Sequence, residues 1–431
     1  MLADASPNAQ GRVLDASEAL QMFGFEVLRR AIVDGQAAIV PDRNEPARTL
    51  KARREALGLP LERFARILNL KPGQVAQAET PGKVSSIRTL EYLARHLAID
   101  ERKLGFDAER SADVALGVRF RRLVAPAEGV RGLSATAVVK LAEAAWIIAR
   151  QEELVSELEP APLLRGRFAP DANYDFPTYE QGYRLAKRTR ELLELGPDQP
   201  IKSLRGLIEH LIKIPLVETE LGRAIAGATI ANGTHRGIVV NIEGRNENPW
   251  VRRMTLAHEL GHLLWDPAER LESLMVDHYD EVEGIASRPQ DVVEMRANAF
   301  AVALLAPPHE VNRIVRSHGD TPWLAVIEVS ERFGISVSAS HAHVQNLMRI
   351  KFSKGPEMPT PSDEWKAAEN DVNDFFPLRA TPVARRGRFA WAVLRAEADR
   401  RISSDTAASL LSAPLSELNA HREELRQITN A

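Results

Sequence analysis

Residues 249–265 read Pro-Trp-Val-Arg-Arg-Met-Thr-Leu-Ala-His-Glu-Leu-Gly-His-Leu-Leu-Trp. Within them His258-Glu259-Leu260-Gly261-His262 fits the pattern H-E-x-x-H. The local chemistry predicts a helix. Asn248 is a good N-cap, and Pro249 suits the first helical position, where its missing N–H costs nothing. Asp266-Pro267 ends the run. Side chains four apart share one face of a helix, so His258 and His262 offer two imidazoles to one metal ion. Glu259 projects about 100° round from His258, within reach of a metal-bound water without being a ligand. Met254, Ala257, Leu260, Leu263 and Leu264 cover the far side, which predicts a largely buried helix. Gly261 costs about 1 kcal/mol in a helix interior; the expected reason for it is a second backbone approaching the metal. The bland alternative is a pair of buried histidines satisfied by hydrogen bonds.

A catalytic metal wants three protein ligands and an open position. The chain has no cysteine, so disulfides and thiolate sites are excluded and any metal must use His and carboxylates. Downstream candidates are Asp266, Asp277, Asp280, Glu281, Glu283 and Glu294. Pro267 ends the helix beside Asp266. The acids of the polar stretch 266–290 have polar neighbours, as solvated acids do. Glu294 instead projects from an amphipathic helix predicted over 291–305, with apolar residues on both flanks. A buried carboxylate is costly unless a cation compensates it, which favours Glu294. Asn298, one turn on, is expected to bond the ligand carboxylate or a substrate backbone.

Upstream, residues 179–195 and 201–212 read as helices, the first with Lys187, Arg188 and Arg190 on a solvated face. Three strands follow, at 215–220, 226–231 and 237–241, with Asn232-Gly233 as a hairpin signal. His235 reads as a loop residue beside that turn. A free edge of such a sheet could hold an extended peptide across the metal. Downstream, 316–350 reads as two helices joined at Phe333-Gly334, with His309, His341 and His343 structural.

The 431 residues suggest two to four domains. Net charge −3 gives no global drive towards nucleic acid or membrane, so any basic site must be local. The longest apolar run, 299–308, is too short to span a bilayer, and the N-terminus lacks signal-peptide character, which together predict a cytoplasmic protein without membrane contact.

Residues 48–99 supply a local basic site. They carry ten Lys/Arg against four Asp/Glu, the balance phosphate contacts need. They read as four short helices, 50–57, 61–68, 72–79 and 87–97, separated at Gly58, Asn69-Leu70 and Pro81-Gly82. The pattern Leu50-Lys51-x-x-Arg54-x-x-x-Gly58-Leu59, Phe64-Ala65-x-x-Leu68, Val75-x-x-x-Glu79, Leu90-x-x-Leu93-Ala94 resembles an XRE-type helix-turn-helix. The resemblance implies that the third helix enters the major groove, with Gln74 and Gln77 near bases and Lys71 and Arg54 as further DNA-binding residues, and that the protein binds as a homodimer. Pro60-Leu61 departs from the polar pair usual at the second helix. Protein docking is the competing use of such a bundle.

Thr255 to Leu263, followed by Glu294-x-x-Ala297-Asn298-x-Phe300-Ala301-x-x-Leu304-Leu305-x-Pro307, resembles the ImmA/IrrE family of metallopeptidases. Ile238-Val239-Val240-Asn241 and Phe333-Gly334-Ile335-Ser336-Val337-Ser338 fit as well, and the resemblance spans roughly 175–350. It implies Zn2+ on His258, His262 and Glu294, Glu259 as catalytic base, and a partner protein, a repressor, cleaved in response to stress or mobile-element signals. Members often carry an XRE-type domain upstream.

The expected architecture is α+β and mostly helical, with a zincin-like metallopeptidase domain built on a small mixed or antiparallel sheet. The expected domains are an N-terminal helical extension (1–47), the helix-turn-helix (48–105), a helical spacer (106–170), the metallopeptidase domain (171–350), and a linker with a C-terminal helical tail (351–431). The competing functional expectation is a DNA-binding regulator whose metal site senses or is inactive, without proteolysis.

Overall fold

A computed structural model describes residues 14–37, 42–105, 132–158, 178–232, 235–266, 275–279, 292–356, 358–374 and 376–430. The segment around Arg119–Leu123, the acids Asp280, Glu281 and Glu283, and Gly233 lie outside the described residues. The chain forms two compact units, one from 1–160 with 375–431 and the other from 161–374. The architecture is mostly helical with one small mixed sheet, as expected. Among the described residues no helix is long and apolar enough to cross a membrane.

The first unit begins with α1 (Ala16–Val33), which Gly24 interrupts with a φ of 78°. Next come α2 (Glu45–Ala56), α3 (Leu61–Ile67), α4 (Pro72–Ala78), α5 (Ile87–Arg95) and the long α6 (Ala135–Leu158). The breaks fall at the turn residues: Gly58, Asn69 and Gly82 all take positive φ, which glycine and asparagine tolerate best. The first of the four helices starts at Glu45 rather than Leu50, because Glu45 and Pro46 supply its first turn. Leu50, Leu57, Phe64, Val75 and Leu93 are buried and give the bundle its core.

Residues 375–431 belong to this same unit. Helices Gly387–Ala398, Ser404–Leu410, Leu415–Ala420 and Arg422–Asn430 complete it. Arg385 donates to Glu143 of α6 at 2.8 Å, and Phe389 meets the Trp146 ring edge-on at 6.0 Å. Arg95 of α5 donates to the carbonyl of Ser409 at 2.6 Å, and Glu18 of α1 accepts from Thr406 at 2.7 Å.

The second unit starts with α7 (Thr178–Leu192), then α8 (Leu204–Gly206), which runs on as a wide π-turn, Leu207–Ile212. Strands β1 (Leu216–Thr219), β2 (Ile225–Asn232) and β3 (His235–Asn241) precede α9 (Pro249–Trp265). After α9 come β4 (Met275–His278), α10 (Val292–Leu305), α11 (Pro308–His318), α12 (Pro322–Phe333), α13 (Val337–Met348) and α14 (Asp363–Asp374). The sheet order is β1-β3-β2-β4, with β1 parallel to β3 and the other pairs antiparallel. Ile238 and Val240 of β3 join Leu256, Leu260 and Leu264 of α9 and Phe300 and Leu304 of α10 in one buried cluster.

Four expectations are corrected here. The fourth strand lies in the stretch read as a polar loop; four residues at a sheet edge are too short to show alternation. His235 is the first residue of β3, paired with Asn232 across the hairpin, and not a loop residue. Arg190 is buried rather than solvated, donating to the carbonyl of Leu304 at 2.7 Å. The linker expected at the start of 351–431 gives way at Asp363, where α14 begins. Its Trp365 is buried and its Glu369 forms an ion pair with the buried Arg253 of α9. Pro356, Pro359 and Pro361 delay the helix but do not abolish it.

Candidate metal centre

The sequence places His258 and His262 one turn apart on a helix that is buried along almost its whole length. The cap is as expected: Asn248 Oδ1 accepts from Trp250 N at 2.9 Å. Gly261 has a different reason from the one expected. A Cβ there would lie 2.7 Å from Cδ1 of Phe300, so the glycine admits the Phe300 ring rather than a backbone. That contact seats α10 against α9 and brings Glu294, in the first turn of α10, over the two imidazoles.

His258 Nε2 and His262 Nε2 are 3.1 Å apart. Glu294 Oε2 lies 3.3 Å from the first and 3.4 Å from the second. Among the described residues this is the one group of three His or carboxylate side chains able to hold a metal ion. The triangle has the right size. An ion bound tetrahedrally at about 2.0–2.1 Å needs donors about 3.3 Å apart.

The far nitrogens fix the tautomers. Asn298 Oδ1 lies 2.9 Å from His258 Nδ1, and Asp266 Oδ2 lies 2.8 Å from His262 Nδ1. Each oxygen accepts the Nδ1–H, which turns the Nε2 lone pairs towards each other and towards Glu294. Two lone pairs and a carboxylate at this spacing need a shared cation. Burial pulls the His262 pKa down, but Asp266 and Glu294 outweigh it and raise it to about 10. Burial pushes Glu294 up, and the two imidazoles outweigh that and hold it well below the carboxylate range. The field that favours a proton here favours a metal ion too.

Asp266 is therefore not a ligand but the acceptor behind one, and Arg296 is ion-paired with it in turn. Asn298 bonds the ligand imidazole of His258. Asp277 is a residue of β4, paired with Gly227 of β2.

Glu259 is fully buried. Thr229 of β2 donates to its Oε2 at 2.6 Å. Gly227 makes room for it: a Cβ at Gly227 would stand 2.7 Å from Glu259 Oε1. Thr229 and Gly227 were not anticipated. Their only mark in the sequence is a small and a hydroxyl residue on a strand otherwise built from Ile and Ala up to its last residue, Asn232.

Of the four residues expected to contact DNA, three are exposed on or beside α4: Lys71, Gln74 and Gln77. Gln74 Oε1 accepts from Lys71 N at 2.9 Å, and Gln77 donates to the Val84 carbonyl. The fourth is not on that surface. Arg54 is buried, paired with Glu79 at 2.7 Å and donating to the Leu59 carbonyl at 2.7 Å. It closes the bundle: both oxygens of Glu79 and the Leu59 carbonyl satisfy the guanidinium, and removing Glu79 would leave a buried charge unpaired.

Over residues 229–343 the chain matches a peptidase family model, Peptidase_M78, described as the IrrE N-terminal-like domain. The match takes in His258, Glu259, His262, Glu294 and Asn298, and leaves α1–α6 and residues 375–431 outside it. No curated protein matches the chain.

Proposed function

We propose that the chain is a cytoplasmic zinc-dependent endopeptidase that cleaves one partner protein, a repressor being the class expected, and that α2–α5 form a helix-turn-helix that holds it on DNA as a homodimer. The observation carrying the first part is the triangle of two Nε2 atoms and one carboxylate oxygen with edges of 3.1–3.4 Å, each imidazole backed by an oxygen. Two histidines and a carboxylate suit zinc best among divalent ions. Bound there, zinc supplies Lewis-acid chemistry, polarising the scissile carbonyl and lowering the pKa of a water towards about 7. Glu259 takes the water proton on its carboxylate and delivers it to the leaving amine. Thr229 holds that carboxylate by its Oε2, so the atom that works is aimed before substrate arrives.

Support for the DNA reading is the exposure of Lys71, Gln74 and Gln77, with Arg63, Arg66 and Lys83 exposed nearby for phosphates.

The test is Glu259→Gln in cells, with new protein N-termini compared against wild type, with and without DNA damage. The variant is expected to keep its metal and lose a short list of cuts. Equal cuts from both would sink the mechanism. No cut from either, with operator binding that changes with zinc, would instead establish a metal-sensing regulator.

A further inference from the structure

Beside the triad lies a cleft of about 200 Å3. Its walls come from four helices and the residue after β4: Met254 of α9, Met295 and Val302 of α10, Ala342 of α13, Tyr183 of α7, and Tyr279. Three of its residues tie it to the metal centre. Asn298 lines the cleft and also holds His258. Met295 follows Glu294 directly, and Met254 is one turn before His258. Among the described residues no Asp, Glu, Lys or Arg lines it. Its one titratable imidazole, His343, is fully buried. His343 Nε2 lies 3.0 Å from the Ala306 carbonyl, which can only accept, so the ring carries its proton there. His343 Nδ1 then accepts from Tyr183 OH at 2.7 Å. The ring is neutral and both of its nitrogens are satisfied.

A charged group entering such a space would lose its water and meet no opposite charge among the described lining residues. The size is informative as well, since an apolar cavity of about 150 Å3 takes up benzene. We infer that the cleft receives one large uncharged side chain, aromatic or long aliphatic, of the peptide being cut, and thereby sets which bond lies at the metal. The inference rests on the peptidase reading. Met295 and Tyr179, both partly exposed, form the entrance.

The test uses the full-length zinc-loaded protein and peptides of Gly, Ser and Ala carrying one central residue: Phe, Leu, Met, Ala, Lys or Asp. Cleavage is read by mass spectrometry and binding by fluorescence anisotropy. Wild type is expected to cut next to Phe, Leu or Met about ten- to a hundredfold better than next to Ala, the range for burying one such side chain, and to reject Lys and Asp. Ala342→Trp fills the cleft from an exposed rim position and is expected to collapse that preference, while zinc content and melting temperature report an intact fold. An unchanged preference in Ala342→Trp overturns the proposal. Should wild type cut none of these short peptides, binding tests the cleft by itself, while the comparison of cellular N-termini tests the peptidase: Phe peptides bound by wild type and not by Ala342→Trp would keep the cleft. No preference in binding would overturn it.

Discussion

At the scale of single residues the centre is a chain of dependence. His262 is aimed by Asp266, and Asp266 is neutralised by Arg296. Partners behind a metal ligand are typically worth about 10–100-fold in metal affinity. Asp266→Asn keeps an acceptor and loses the charge, so its zinc affinity, read by competition with a chelator, is expected to fall by about that range. Unchanged affinity would make Asp266 a mere helix end. His343 gives a second residue-scale test. Burial lowers its pKa from 6.5 to about 4. The unfolded chain thus takes up a proton below about 6.5 that the folded chain refuses, so stability falls as pH drops from there to about 4 and is fully present above. The shift corresponds to about 3 kcal/mol. Denaturant melts at pH 7 and pH 4 are expected to show His343→Gln losing less on acidification than wild type does. The two histidines and Glu294 could be read from spacing and amphipathicity, because their helices carry those signals within a few residues. Asp266, Thr229 and Gly227 could not, since their roles arise from contacts 4 to 32 positions away, of which only the shortest is local.

At the scale of elements the centre depends on how closely helices approach. Gly182 of α7 lies so near α10 that a Cβ would stand 2.5 Å from the Arg296 carbonyl and 2.7 Å from the Ala299 Cβ. Backbone cannot yield as a side-chain tip can. Gly182→Ala is expected to cost about 1–3 kcal/mol despite the better helix propensity of alanine, seen as a lowered melting temperature with weaker metal binding, since α10 carries Glu294. A gain in stability would show that α10 has slack. The helices α3–α5, α7, α9, α10, α12 and α13 were legible from periodicity, caps and prolines. The edge strand β4 and helix α14 were not. A four-residue strand shows too little pattern, and a helix after three prolines resembles a tether until Trp365 and Glu369 are seen to share a buried face.

At the scale of the whole molecule the two units differ in how they are strung. The triad, Asp266, Asn298, Thr229 and Glu259 all lie in 161–374. A fragment of those residues is expected to bind zinc with the affinity of the full chain, and titration of both with a zinc-sensitive dye would check it. A large deficit would mean that the rest of the chain shapes the site. The other unit has no such independence: residues 1–160 alone would leave Glu143, Arg95 and Glu18 without Arg385, Ser409 and Thr406.

That stringing sets an order of assembly on the ribosome. The first helices made must wait for the last ones, because Arg385 and Ser409 emerge long after Glu143 and Arg95. The intervening 161–374 has every partner it needs before then. A nascent chain from which residue 374 has just left the exit tunnel would carry a finished metal centre and an unfinished helical unit. The unit bearing Lys71, Gln74 and Gln77 is the last to mature, although it is the first to be translated.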